Sequence, residues 1–335
     1  MGNGVYSEPE YVSLVISSFS FCLTSFGLFT ISKNRELSTN ITFKFISMIL
    51  FSELTNNLTQ LSVGLYPIIG DVYEKDVERM RVCYVQIFLN IFSNFLTLFS
   101  TLFMSIQLYL NVKNKRDDFE KKSKAQIFLG SCFYISLIIS YIFYVIFLDK
   151  YQNNIFEHVY IILSCWMSAT MEKPFWIINC ILLFAICFIY LHTYKYISKQ
   201  SSEYIESIQE REHSSMVSST IKMFNKIKRK YLIYPFSILI FYLIIGLGRY
   251  LREIAYFFEK DDLPLMSVLK ISKIIYSAGT NLRGFVFTVL SLVTQEQFKN
   301  EFYMNLLCKK CCLQKNEHVA EMLNDSMSVD IDLSY

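Results

Sequence analysis

The sequence predicts an all-α membrane protein, a seven-transmembrane helix bundle with its amino terminus outside. Three observations predict it. Of 335 residues, 53% are hydrophobic, with only 10 Gly and 5 Pro. The apolar residues gather into seven long runs, at 11–32, 43–69, 82–112, 125–147, 174–197, 231–258 and 265–293. Lysine and arginine alternate between the connections. The first, third and fifth connections and the tail after 293 hold 19 of them, and the opposite side holds 6. A helix of ~20 apolar residues crosses a hydrocarbon layer, and only helices or closed barrels satisfy their backbone there. Runs this long and evenly apolar differ from barrel strands, which alternate over ~10 residues. The positive-inside rule then places the amino terminus outside and the carboxyl terminus inside. The expected organisation is an extracellular amino terminus (1–10), the seven-transmembrane domain (11–293), a juxtamembrane amphipathic helix with a Cys cluster (294–312) and a disordered cytoplasmic tail (313–335).

The first run is rich in Ser and Phe. It follows ten residues that carry Glu8 and Glu10 but no Lys or Arg. Without a basic n-region it is expected to act as its own insertion signal. The second run carries Glu53, Asn56 and Asn57. A carboxyl at mid-membrane marks a functional site by default, or else a hydrogen-bond node with Asn90 or Asn94 of the third run. Cys83 stands at the outer end of the third run, after an alternately charged, solvated loop. Of nine cysteines, Cys22, Cys132, Cys180 and Cys187 lie in apolar runs, and Cys308, Cys311 and Cys312 lie in the tail. Only Cys83 and Cys165 face the oxidising side, where disulfides persist, so they are expected to pair and tie the 148–173 connection over the third run. The sequons at Asn40, Asn57 and Asn324 fall inside the cell or in the membrane on this topology and are chance matches.

The fifth connection, 198–230, passes from acidic residues to a hydroxyl cluster at 214–220 and then to Lys226, Lys228, Arg229 and Lys230. With Lys113 and Arg116 these form a basic cup at the inner face, suited to an acidic partner surface; orientation alone also places positive residues there. The sixth run has no ionisable side chain except Tyr from Leu232 to Gly248, then carries Arg249, Arg252 and Glu253. Each charge at the centre of a membrane helix costs ~2.5–3.5 kcal/mol on insertion scales, so these three must face protein or water. The seventh run places Lys270 and Lys273 in its outer half and Arg283 deeper. Residues 259–264 alone join the two runs, which makes their outer halves neighbours. Five cations against Glu253 leave surplus positive charge in one outer cavity. That surplus points to a small anionic ligand, a phosphate or carboxylate, held in a bidentate arginine contact. Snorkelling of Lys270 and Lys273 to the surface is the plainer account of those two. Beyond 293, Phe298, Phe302 and Leu306 recur at four-residue spacing in a short helix expected along the inner membrane surface. Cys308, Cys311 and Cys312 beside Lys309 and Lys310 read as palmitoylation sites. Their spacing with His318 does not suit zinc, and neither metal nor cofactor is expected. The four His are scattered and no Gly-rich phosphate loop is present, so an enzyme is not expected, nor is a nucleic-acid partner.

Seven runs, Cys83 at the start of the third and Cys165-Trp166 in the second outer connection resemble a G-protein-coupled receptor. In detail the chain is similar to the slime-mould cyclic AMP receptor group and its fungal glucose-sensor-like relatives. The matching residues are Cys83 with Gln86 and Phe88, Leu108-Tyr-Leu110, Lys230-Tyr-Leu-Ile-Tyr234-Pro235, Arg249, and Leu282-Arg-Gly-Phe285. The similarity covers about residues 80–300. Rhodopsin-type receptors have Asp-Arg-Tyr where Leu110-Asn-Val-Lys113 stands, and the seventh run lacks an Asn-Pro-x-x-Tyr. The mid-third-helix Trp of the cyclic AMP group is also absent, so the resemblance does not extend to cyclic AMP as ligand. It implies a multi-pass plasma-membrane receptor for a small molecule, coupled to a heterotrimeric G protein. Signal transduction would follow an outward swing of the sixth helix's inner end, loosened by Pro235. The alternative is a seven-helix transporter or channel for a small anion, its path lined by Glu53, Arg249, Arg252, Lys270, Lys273 and Arg283. The halves show neither repeat symmetry nor a Gly/Pro-broken pair of helices, which such transporters carry.

Overall fold

A computed structural model describes residues 8–69, 76–113, 118–151, 169–209, 237–238, 240–245 and 265–306. The described residues are all-helical: α1 (Glu8–Lys33), α2 (Arg35–Thr39), α3 (Ile41–Ile69), α4 (Asp76–Lys113), α5 (Asp118–Tyr151), α6 (Ala169–Gln209), α7 (Leu265–Thr294) and α8 (Glu296–Leu306). Residues 240–245 are also helical and belong to the sixth apolar run. Among the described residues, four helices are long and apolar enough to cross a membrane: within α1, α4, α5 and α6. Helices α3 and α7 fall outside that group. They carry the polar side chains of the bundle interior, including Glu53, Asn56 and Asn57 on α3 and Asn281 and Arg283 on α7.

The bundle exposes large apolar side chains and buries polar ones beside an apolar core. Phe19, Leu58, Tyr141, Ile181, Phe184 and Phe188 stand on the outside, while Glu53, Asn57, Ser93, Thr97, Asn179 and Arg283 are buried among residues such as Phe45, Leu50, Leu96 and Phe287. An apolar exterior with polar contacts between helices inside suits a protein embedded in a membrane. Many of the buried hydroxyls satisfy themselves locally. Thr101, Ser136, Ser140, Thr193, Thr288 and Ser291 each donate to the carbonyl four residues earlier, at 2.6–2.8 Å. Back-bonding of this kind removes an orphan donor without needing a partner helix.

Helix α4 is the axis of the bundle and packs against α3, α5 and α6, while α1 packs against α3 and α7. An aromatic knot joins three of these helices: Phe95 of α4 lies 5.8 Å from Phe143 of α5 and 5.5 Å from Phe175 of α6, centroid to centroid. The stretch 33–42, expected as a plain connection, contains α2. Asn34 makes that turn, its Oδ1 accepting from Glu36 N at 2.9 Å and Leu37 N at 3.2 Å, the usual N-cap geometry. Helix α8 forms where the four-residue spacing places it, with a difference in what it buries. Phe298 and Phe302 are fully inside the protein, Phe302 edge-on to Phe26 at 4.8 Å and Phe298 6.2 Å from Phe43, whereas Leu306 is exposed. Gln297 Nε2 donates to Glu36 Oε2 at 3.1 Å and ties α8 to α2.

Gly284 marks the closest approach of α7 to its neighbours. A Cβ there would stand 2.6 Å from Thr24 Oγ1, 2.8 Å from Asn57 Nδ2 and 2.9 Å from Ser20 Oγ. Gly130 on α5 has nothing within 4 Å of its Cβ position. The two glycines therefore respond oppositely to alanine. Gly284→Ala is expected to cost ~1–3 kcal/mol by overpacking, and Gly130→Ala to add ~0.5–1 kcal/mol by relieving helix entropy. Thermal unfolding of the detergent-solubilised protein reads both signs.

Candidate functional site, a buried polar network around Glu53 and Arg283

The charged centre is built from three helices. Glu53 sits mid-way along α3 and Arg283 mid-way along α7, both closed off from the surface. Arg283 Nε lies 3.2 Å from Glu53 Oε2. Helix α4 supplies the neutral partners, Thr97 and Asn94, three residues apart and so on one face. Thr97 Oγ1 donates to Glu53 Oε1 at 2.7 Å, and Arg283 Nη1 donates to Asn94 Oδ1 at 2.7 Å. Ser52 lies against the Thr97 hydroxyl. Asn94 then carries the network outward. Its Nδ2 donates to Asn179 Oδ1 of α6 at 2.9 Å, and its Oδ1 accepts from Tyr242 OH at 3.5 Å. Four helical elements thus meet on one amide, that of α4 with partners from α6, α7 and the sixth-run helix.

A second polar layer lies beside the first. Asn57 Nδ2 and the backbone N–H of Phe285 both donate to Ser20 Oγ, at 2.9 and 3.1 Å. Asn56 Nδ2 donates to the Thr280 carbonyl at 3.4 Å, and Gln86 Nε2 to Gln60 Oε1 at 3.4 Å. Asn57 is buried in this layer, in keeping with its sequon being a chance match.

The structure redraws the expected roles of two residues. Glu53 bonds neither Asn90 nor Asn94 directly; Arg283 stands between it and Asn94. Arg283, counted in the sequence as surplus positive charge, is neutralised by Glu53, which removes one cation from that surplus. The physical reason is mutual: either charge alone is expensive at this depth, and the pair flanked by the Thr97 and Asn94 hydrogen bonds is less so. Lys270 and Lys273 lie on α7, roughly 20 and 15 Å along the helix axis before Arg283 at 1.5 Å per residue. Arg249, Arg252 and Glu253 lie outside the described residues, as do Arg116, Lys226, Lys228, Arg229 and Lys230. Lys113 ends α4, exposed, its Nζ 5.6 Å above the Tyr109 ring. Cys83 falls on α4, but Cys165 and therefore the expected disulfide lie outside the described residues, like Cys308, Cys311 and Cys312. Cys22, Cys132, Cys180 and Cys187 are free thiols. Among the described residues no group of His, Cys, Asp or Glu is arranged to hold a metal.

Asn179 and Tyr242 were not anticipated from the sequence. Asn179 had a signal, as the lone amide in the apolar stretch from Trp176 to Tyr190. Tyr242 had none, being one of 23 tyrosines in a chain where most of them face apolar surroundings. The arrangement ties α3, α4, α6 and α7 together at one level of the bundle.

Removing one partner of a buried ion pair costs ~3–5 kcal/mol, because the other charge is left uncompensated. Arg283→Gln is therefore expected to destabilise the bundle by about that much, and Glu53→Gln to restore part of the loss when added to it. A double-mutant cycle on thermal unfolding measures the coupling; additive single effects would contradict the pairing. No family model matches the chain, and comparison with curated proteins finds no match.

Proposed function

We propose that the chain is a seven-transmembrane receptor with its amino terminus outside. In this reading it binds a small anionic ligand at the plasma membrane and activates a heterotrimeric G protein through movement of the sixth helix. The observation that carries the reading is the unequal strength of the network around Asn94. Helices α3, α4, α6 and α7 are joined by contacts of 2.7–3.2 Å. The sixth-run helix joins through Tyr242 OH at 3.5 Å, the limit of a useful hydrogen bond. Among the described residues, four helices are joined by the shorter contacts and the sixth-run helix by the longest. A ligand with different affinity for two positions of that helix would shift the equilibrium between them.

The inner-face cations support a G-protein partner, and the surplus of Arg249, Arg252, Lys270 and Lys273 over Glu253 supports an anionic ligand. Cys83 paired with Cys165 would roof that cavity. A path for anion transport fits less well, because Glu53 and Arg283 neutralise each other within the bundle and Thr97 and Asn94 close around them.

The test is guanine-nucleotide exchange on a G protein in cells expressing the chain, screened with cyclic nucleotides and small carboxylates. Losing a hydrogen bond worth ~0.5–1.5 kcal/mol makes Tyr242→Phe raise basal exchange roughly two- to tenfold. Arg252→Gln is expected to weaken the ligand response at least tenfold, roughly the loss of one charge-assisted contact, with surface level unchanged. Anion flux in liposomes without any nucleotide exchange would select the transporter reading instead.

A further inference from the structure

At the α8 end of the bundle, α1, α2, α3 and α5 enclose an open groove of about 590 Å³. Its walls are largely apolar, among them Leu28 of α1, Met48 of α3 and Leu129 of α5. Two polar side chains in the lining have a common character. Lys44 and Ser47 are three residues apart on α3 and so share a face. Among the described residues, neither side chain has a hydrogen-bond or ion-pair partner. Lys44 is also half-buried rather than free in solvent. Among the described residues no carboxylate lines the groove. Glu36, the acid of α2, is engaged by Gln297 of α8 instead. A second cation stands close by, with Lys33 Nζ 5.3 Å above the ring of Phe29, itself a wall of the groove.

An unpaired, half-buried ammonium and an unused hydroxyl beside an apolar trough make a specific chemical demand. They call for an oxyanion carried on a hydrocarbon chain. We propose that this groove binds one phospholipid with an anionic headgroup, its phosphate held by Lys44 Nζ and Ser47 Oγ and an acyl chain laid along Leu28, Met48 and Leu129. The site rests on the reading that the chain spans a membrane with the α8 end at one surface. It lies on the outer wall of the bundle, apart from the Glu53–Arg283 network. Its lipid would brace α1, α3 and α5, whose side chains line the groove.

The experiment uses the full chain, reconstituted into vesicles of equal phosphatidylserine and phosphatidylcholine, floated, extracted into mild detergent and weighed by native mass spectrometry. Wild type is expected to retain phosphatidylserine in preference to phosphatidylcholine. Lys44→Gln is expected to lower that preference roughly fivefold, the equivalent of ~1 kcal/mol per lysine at an anionic surface. Lys44→Arg keeps the preference, and Leu129→Trp lowers the total lipid retained by filling the trough. Lys195→Gln, at an exposed position on α6, removes the same charge elsewhere and leaves the preference unchanged. Equal retention of the two lipids by wild type overturns the site, as does an equal effect of Lys195→Gln and Lys44→Gln. Flotation separates the two levels of the argument. A chain that floats with the vesicles and shows no selectivity refutes the lipid site alone, and a chain that does not float refutes the membrane reading as well.

Discussion

The buried pair of Glu53 and Arg283 is the constraint on which the bundle depends. Neither charge is tolerable alone in an apolar surrounding, so α3 and α7 must approach each other at this level. Their approach decides what α4 presents between them. Thr97 takes one carboxylate oxygen and Asn94 takes one guanidinium nitrogen, and the amide of Asn94 then has its other face free for α6. Thr97, Glu53, Arg283, Asn94 and Asn179 are thus linked in series through the centre of the protein. Directional bonds between buried side chains fix the register of the four helices that carry them.

Packing around the network follows from keeping side chains small or self-satisfied where helices touch. Gly284 lets α7 come within van der Waals reach of Thr24, Asn57 and Ser20, one residue from the pair itself. Back-bonded Ser and Thr fill other contact faces with little bulk. Large apolar side chains lie on the exterior and also pack inside, in the aromatic knot of Phe95, Phe143 and Phe175 and around Phe45, Leu50, Leu96 and Phe287. At the α8 end, Phe298 and Phe302 plug the base of α1 and α3 and Gln297 fastens α8 to α2. The end of the bundle proposed to meet the inner leaflet is thus closed by protein on one side, and the groove beside Lys44 is the proposed lipid site.

These features give the proposed receptor a division of labour. A frame of closely bonded helices surrounds Asn94, and the sixth-run helix reaches it through a longer contact, from Tyr242. One turn along the same face, Ile245 packs over Gly279 of α7, where a Cβ would stand 2.8 Å from Ile245 Cγ1. Apolar contact of that kind is non-directional and permits sliding, whereas the hydrogen bonds of the frame do not. Motion is therefore concentrated where the bonding is weakest, which is the property a two-state switch needs.

Helix positions were legible in the sequence because length and apolarity are local quantities. The runs at 11–32, 43–69, 82–112, 125–147, 174–197 and 265–293 each fall within a described helix, and Phe298 and Phe302 announced α8 by spacing alone. Sequence also flagged Glu53 and Arg283 separately, since any charge in an apolar run is conspicuous. That the two neutralise each other was decided only by the tertiary structure. They are 230 residues apart, and nothing local sets which face of α3 meets which face of α7. The same holds for Asn179, for Tyr242, and for the groove that leaves Lys44 and Ser47 without partners. Charge and hydropathy belong to residues and can be read in order, but pairing belongs to the helix packing that brings distant residues to one point.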